Sequence, residues 1–473
     1  MYECVNQYIE EHFDEMLQNL IDLVKIRSVV SDPEEGAPFG KEPRRAMQYV
    51  LDLAENLGLK VVNLDNKVCY AEYGTGDHVI GSFAHLDIVP EGENWTYPPF
   101  GGEIHDGKIY GRGTVDNKAP FLASLYGLLA IRECGLPMGN FRIRVVGGTA
   151  EEVGMQDMKT YIDHCGAPDA GFTPDGWFPM SFTERGISYW YLQNRLEELD
   201  TGKIRLCSLH GGGDALNLVA DKCSVVLRAQ DEETCRRVME QIAEYKKDAL
   251  CSFSVSNEDL EIRISALGKV AHACAPFDGK NAIQDSLLLL KRIGFSGSLG
   301  VFLERYAQLI GLTTDCSLLG MKYEDECGKL TFNLSRMDIE DNEIQWVVNL
   351  RYPHTYSDKM FKDFEERLNS LKTVLLKRTN SPSLMYAKDG VLIRTLRSVY
   401  EDCTGLDSEP GNGGGTYAKV IPNIVAFGNQ FPGSTDWCHR ADENLSLDEF
   451  LLQAKIYAHA MYELGVAIDR EKA

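Results

Sequence analysis

VIGSFAHLDIVP (residues 79–90) is an apolar run of strand character that stops abruptly at His85-Leu86-Asp87. Strand side chains alternate faces, so His85 and Asp87 project to the same side. One can bind a metal ion while the other orients it, because a ligating imidazole usually donates its second N–H to a carboxylate or carbonyl. A lone H-x-D carries little weight. Its meaning depends on whether other strand ends supply further ligands.

Upstream, KVVNLDN (60–66) and KVCYAEYG (67–74) share the strand pattern. Residues 1–27 read as one helix with Tyr8, Phe13, Met16, Leu20 and Leu23 as its apolar positions, and a second helix is expected at 43–58. Downstream, 90–113 reads as a loop. A helix follows with Phe121, Leu122, Leu125, Leu128 and Leu129 on one face, then a strand, FRIRVV (141–146). Helices interleaved with strands define an α/β domain with a mixed or parallel sheet flanked by helices.

The texture changes near Arg185. Strand-like segments ISYWYLQNRL (187–196), KCSVVLRAQ (222–230), EIRISALG (261–268), KLTFNLSRMDI (329–339) and EIQWVVNLRYP (343–353) alternate with helices such as 232–248 and 358–376. This suits an α+β insertion of one or two similar units. After 384 the first texture returns, with helices at 389–403 and 447–464 and a strand NIVAFG (423–428). The expected organisation is one α/β domain, 1–185 and 385–473, interrupted by an insertion at 186–384.

The 473 residues suffice for two or three full cores, and 44% apolar with 25% charged residues is an ordinary globular balance. The net charge of −23 argues against nucleic acid or an anionic membrane as partner. No run has the apolar length of a membrane span, and the acidic N-terminus lacks a signal-peptide pattern. Thirteen cysteines without a C-x-x-C pair read as free thiols of a reducing compartment, so a cytoplasmic location is expected.

Four further acids and one histidine recur at strand ends or loops. Asp116 lies in GRGTVDNKAP (111–120), Glu151 and Glu152 in VVGGTAEEVG (145–154), Asp175 in FTPDGW (172–177) and His439 in DWCHRADE (436–443). Singly, Asp116 is as readily a helix cap, Asp175 a turn residue and His439 a surface imidazole. Adjacent carboxylates such as Glu151 and Glu152 repel unless a cation or proton compensates. Together the set matches what two divalent metals with one bridging carboxylate require, with one glutamate left as general base.

AHLDIVPEGENW (84–95), DGKIYGRGTVDNK (106–118), GGTAEEVG (147–154), FTPDG (172–176) and GGGTYA (413–418), followed by the histidine, resemble the di-metal aminoacylase/carboxypeptidase-G family of the zinc-exopeptidase type. The nearer likeness is to its PepV-type (Sapep) dipeptidases, from APFGKEPRRA (37–46) to PGSTDWCHRADE (432–443). The resemblance implies that His85, Asp116 and Asp175 hold one metal and Asp116, Glu152 and His439 the other. It implies Asp87 as the group orienting His85, Glu151 as the base, and two Zn2+ or Mn2+ ions. It also implies a cis peptide after Asp116. Asn117, Ala84 and Ala150 depart from the residues common at those positions, and none removes an expected ligand.

By the same resemblance the insertion is a lid. His272 in LGKVAHACAPFDGKNAI (267–283) stands for the oxyanion-stabilising histidine, and Asn217 and Arg351 for the substrate-binding pair. A guanidinium suits a free C-terminal carboxylate, which it can bind through two hydrogen bonds. Gly414, Gly415 and Thr416 could turn backbone N–H groups toward that end of the substrate. The lid's length implies a monomer that supplies its own His272. The expected activity is hydrolysis of unblocked dipeptides. The alternatives are an N-acyl-amino-acid deacylase or carboxypeptidase of the same fold, and a non-catalytic peptide-binding homologue.

Overall fold

The computed structural model describes residues 2–197 and 203–472. The chain separates into two compact units, Met1–Glu184 with Leu384–Ala473, and Arg185–Ser383.

The first unit opens with helices α1 (Tyr2–Glu11), α2 (Phe13–Val24) and α3 (Lys41–Asn56), followed by strands β1 (Lys60–Leu64), β2 (Val68–Gly74) and β3 (His78–His85). Next come α4 (Lys118–Glu133), β4 (Phe141–Gly148), α5 (Gln156–Cys165) and β5 (Ala170–Thr173). The strands form a six-stranded mixed sheet in the order β1, β2, β4, β3, β5 and Ile424–Ala426. Its last four members run parallel. Such a sheet is covered on both faces, and β3 is accordingly buried from Val79 to its end.

The single helix expected at 1–27 is two. The break falls at His12 (φ −107°, ψ 11°), whose Nδ1 lies 2.8 Å from the Tyr8 carbonyl. The α4 helix has no polar face, every residue from Lys118 to Ile131 being buried. The reading of one apolar face is therefore too narrow. A Cβ on Gly127 would come within 3.1 Å of the Ala458 backbone, so this glycine lets α4 and the helix Leu447–Lys472 approach closely. The loop expected at 90–113 contains a hairpin, Glu103–His105 with Lys108–Tyr110, extended by Asn444–Ser446. Strands of three residues are too short to show a period. Cys4 and Cys134, expected as free thiols, are joined, because α1 brings their Cα atoms to 6.1 Å, within disulfide range.

The second unit carries one antiparallel sheet of eight strands: β6 (Gly186–Arg195), β7 (Ile204–Gly212), β8 (Lys222–Ala229), β9 (Ser252–Glu258), β10 (Glu261–Leu267), β11 (Thr331–Glu340), β12 (Glu343–Tyr352) and β13 (Val374–Ser381). Their order is β9, β10, β8, β7, β11, β12, β6, β13. Its helices are α6 (Glu232–Tyr245), α7 (Ala282–Ile293), α8 (Gly297–Leu309) and α9 (Asp358–Asn369). Each half of the sheet contains the same device. In one, β8-α6-β9 crosses over β10; in the other, β12-α9-β13 crosses over β6. The halves join where Leu209 to Gly212 face Ile339 to Arg336. The helix expected at 358–376 ends at Asn369, and its tail belongs to the edge strand β13. Among the described residues, no helix is long and apolar enough to cross a membrane.

Candidate metal centre

In the first unit the parallel strands β3, β4 and β5 end side by side, and ligand sites of open α/β sheets lie at such carboxyl ends. His85 closes β3 and is registered with Gly148 at the close of β4. Glu151 and Glu152 follow three and four residues later, and Asp175 lies two residues past β5. Asp116 immediately precedes the cis peptide Asp116-Asn117 at the start of α4, and His439 (φ 61°) sits on the loop after Ile424–Ala426.

Asp116 stands between the two histidines. Its Oδ1 lies 2.8 Å from His85 Nε2, and its Oδ2 lies 3.1 Å from His439 Nε2. His439 Nε2 is also 2.9 Å from Glu152 Oε1, and His85 Nε2 is 4.0 Å from Asp175 Oδ2. Ligand atoms of His85, Asp116 and Glu152 all fall within 4.8 Å of one another, as do those of His85, Glu151 and Asp175. These groups overlap because the cluster is tight. The two oxygens of Asp116, each turned to a different imidazole, divide it into halves.

His85 Nδ1 lies 3.0 Å from the Asp87 main-chain carbonyl, to which a proton on that nitrogen donates. That contact turns the other ring nitrogen, Nε2, toward Asp116 and Asp175. The Asp87 carboxylate does something not expected from the sequence: Oδ1 and Oδ2 accept the backbone N–H groups of Glu151 and Glu152. Asp87 thus supports both the imidazole and the glutamate pair.

Burial and crowding set the charges. Burial first, then the neighbouring carboxylates, pushes Glu151 well above the usual range and Asp175 up to about 7. Glu152 is raised for the same reasons. Burial would raise Asp116 too, but hydrogen bonds from His439 and His85 outweigh it and hold that carboxyl far below its ordinary value. Burial and mutual repulsion make this cluster of acids costly unless protons or cations compensate it. Two imidazole nitrogens among several carboxylates make a donor set that suits a pair of zinc or manganese ions.

Three further side chains support the ligand loops. Asp157, at the start of α5, accepts from the backbone N–H of Thr149 and Ala150 and from the Tyr417 hydroxyl. Gly148 is small for that reason, since a Cβ there would overlap Tyr417 and Asp157. Asn117 donates to the Pro174 carbonyl and accepts from His85 N, linking three ligand loops. Lys118 is fully buried and donates to the carbonyls of Leu23 and Ile26 near the end of α2. Asp157 and Lys118 look ordinary in sequence, whereas Asn117 stood out there as a departure from the residue common at its position.

Thr416 departs from its expected part. Its N–H and hydroxyl both donate to the buried Glu184, so that N–H is engaged within the protein. Gly414 is exposed and Gly415 has φ 127°.

In the second unit, Asn217 and His272 lie on adjoining loops. Leu218 and His272 form a β-bridge, and Ala273 N donates to the Asn217 carbonyl at 2.7 Å. Asn333 donates to the Leu218 carbonyl, while Ser335 and Asn349 donate to that of Leu216. Arg351 is buried on β12, two residues beyond Asn349 and opposite Thr331, whose hydroxyl donates to the Ala273 carbonyl. One end of this sheet therefore gathers the segments that carry all three residues.

The sequence profile of peptidase family M20/M25/M40 matches residues 82–463. The chain is 30% identical over 468 residues to the putative dipeptidase YtjP of Bacillus subtilis strain 168, spanning 96% of this chain and 97% of the relative. It is 32% identical over 462 residues to the Beta-Ala-Xaa dipeptidase of Lactobacillus delbrueckii subsp. lactis, spanning 95% and 96%. Among solved structures, human carnosine dipeptidase 1 shares the fold with a TM-score of 0.58 at 16% identity, over 98% of this chain and 99% of that one. Dug1p of Saccharomyces cerevisiae does so with 0.56 at 13% identity, over 98% and 99%. The chain belongs to peptidase family M20/M25/M40 and is a hydrolase of the peptidase class.

Proposed function

We propose that this peptidase is a dinuclear-metal dipeptidase acting on unblocked dipeptides. The observation that carries the reading is Asp116 set between His85 and His439, with Glu152 and Asp175 beside them. Full-length likeness to relatives named as dipeptidases supports the substrate class. On this reading His85, Asp116 and Asp175 hold one ion and Asp116, Glu152 and His439 the other, either zinc or manganese. When bound, the ions polarise the scissile carbonyl and acidify the attacking water.

The remaining work falls to side chains. Glu151 takes the proton of the attacking water and returns it to the leaving amine, a role that its burial and raised affinity for a proton support. Asp87 holds Glu151 in place through the main chain. His272 stabilises the oxyanion, and Asn217 and Arg351 bind the substrate carboxylate; their shared end of the second sheet supports this grouping. The exposed Gly414 and its neighbour Gly415 are assigned to the same end of the substrate by the resemblance. The chain acts as a monomer in the cytoplasm.

The test is hydrolysis, with zinc or manganese restored, of free α-dipeptides, β-alanyl dipeptides, N-acetylated amino acids and tripeptides. Turnover confined to free dipeptides supports the proposal. Preference for acetylated amino acids would make the enzyme a deacylase, and preference for longer peptides a carboxypeptidase.

A further inference from the structure

Glu443 lies four residues beyond His439, immediately before the strand Asn444–Ser446. Its side chain is fully buried. Oε1 accepts three backbone N–H groups from one turn: Gly113 at 3.1 Å, Val115 at 2.8 Å and Asp116 at 3.1 Å. Oε2 accepts from Arg112 Nη1 at 2.6 Å, and the Glu443 carbonyl accepts from Gly111 N. Arg112 is 2% exposed and in turn donates to the Glu91 carbonyl beneath Trp95.

We propose that Glu443 is the positioning residue that sets the Asp116 carboxylate between His85 and His439. The proposal rests on Asp116 being the bridging ligand. A buried ion pair adds little net stability over an apolar pair of similar size, so stability alone is a poor account of Glu443 and Arg112. What an apolar pair cannot do is gather three N–H groups onto one oxygen. Without that acceptor the three would be buried and unpaired. The third of them belongs to Asp116 itself, so the carboxylate of Glu443 fixes the backbone from which the bridging side chain departs. Because Glu443 shares a loop with His439, it also ties the position of Asp116 to that of the second imidazole. Arg112 has the lesser part of compensating the buried charge.

The experiment is Mn2+ titration of the metal-free protein by calorimetry and electron paramagnetic resonance, with thermal unfolding recorded in parallel. Wild type should bind two ions as a spin-coupled pair. Glu443→Leu should fold yet bind both ions about tenfold or more weakly, the usual scale for groups that orient ligands, and lose the coupled signal. Glu443→Gln turns an amide N–H toward the Arg112 donor and should weaken binding likewise. Pairing it with Arg112→Gln restores an acceptor without the charge and should recover wild-type affinity within about threefold, in line with orientation rather than charge being the need. If Glu443→Leu does not fold, the Glu443→Gln and double variants decide. Binding by folded Glu443→Leu or Glu443→Gln within twofold of wild type overturns the proposal, as does a double variant no better than Glu443→Gln. A wild type that takes fewer than two ions fails at the dinuclear reading instead and overturns both.

Discussion

Asp87 Oδ1 accepts the backbone N–H of Glu151 at 3.2 Å. The bond crosses from the end of β3 to the end of β4 and places the proposed base relative to His85, whose Nδ1 faces the Asp87 carbonyl. Asp87 Oδ2 serves Glu152 in the same way. In Asp87→Asn one of these two N–H groups must meet an amide N–H. We expect the variant to fold, to lose metal affinity about tenfold or more, and to lose turnover with it. Unchanged metal affinity in a competition titration would remove Asp87 from this role.

Glu151→Gln should still take two ions, because the other acids and both imidazoles remain. Turnover should fall by about 10²–10⁴-fold, the usual contribution of a positioned base. A variant with normal metal content and full rate would show that another group moves the proton.

Removal of the ions by a chelator should abolish hydrolysis without unfolding either unit, since each unit has an extensive hydrophobic core to which none of the proposed ligands belongs. Far-ultraviolet circular dichroism should be unchanged, while activity returns on adding back zinc or manganese. The metal that restores the greater rate identifies the working ion.

His459 provides a pH signature away from the metal centre. It is buried, packs against the tilted ring of Tyr2, and places Nδ1 3.2 Å from Cys403 Sγ and Nε2 3.0 Å from Asn6 Oδ1. Burial pushes it down to about 4 from the ordinary 6.5. The unfolded chain therefore takes the proton first as pH falls. The contribution of neutral His459 is fully present above pH 6.5 and is lost between 6.5 and about 4, by roughly 3 kcal/mol at the lower end. Unfolding of wild type and His459→Gln should accordingly converge or cross as pH falls through this window. A constant difference in stability would refute the assignment.

A chain carrying His272→Ala mixed with one carrying Glu151→Ala should recover no activity if each molecule uses its own His272. Recovery would mean that molecules exchange this residue and that the monomer assignment is wrong.

The strand ends were legible because the parallel strands are short, apolar and stop at chemically distinctive residues. His85 directly follows the apolar run VIGSFA, and Glu151 stands three residues past the strand FRIRVVGG. The break at His12, the hairpin at Glu103–His105 and Lys108–Tyr110, and the edge strand β13 were not legible. The hairpin and the edge strand depend on a partner distant in the chain or on a run too short to have a period, and the break at His12 falls inside an apolar pattern that continues on both sides. The buried supports were hidden for another reason. Asp157 and Glu443 have the composition of solvated loop or helix-start acids, and only the main-chain N–H groups around them reveal their work.

By itself the sequence determined the α/β pattern and the residue types able to hold two metals, because side-chain chemistry and strand periodicity are local properties. Only the tertiary structure decided that Asp116 turns one oxygen to His85 and the other to His439. It also decided that Asp87 holds the glutamates through their backbone, that Thr416 spends its N–H on Glu184, and that Glu443 closes the turn bearing Asp116. These relationships join residues far apart in the chain. The directions of their hydrogen bonds are set by the packing of strands and loops, which no single segment encodes.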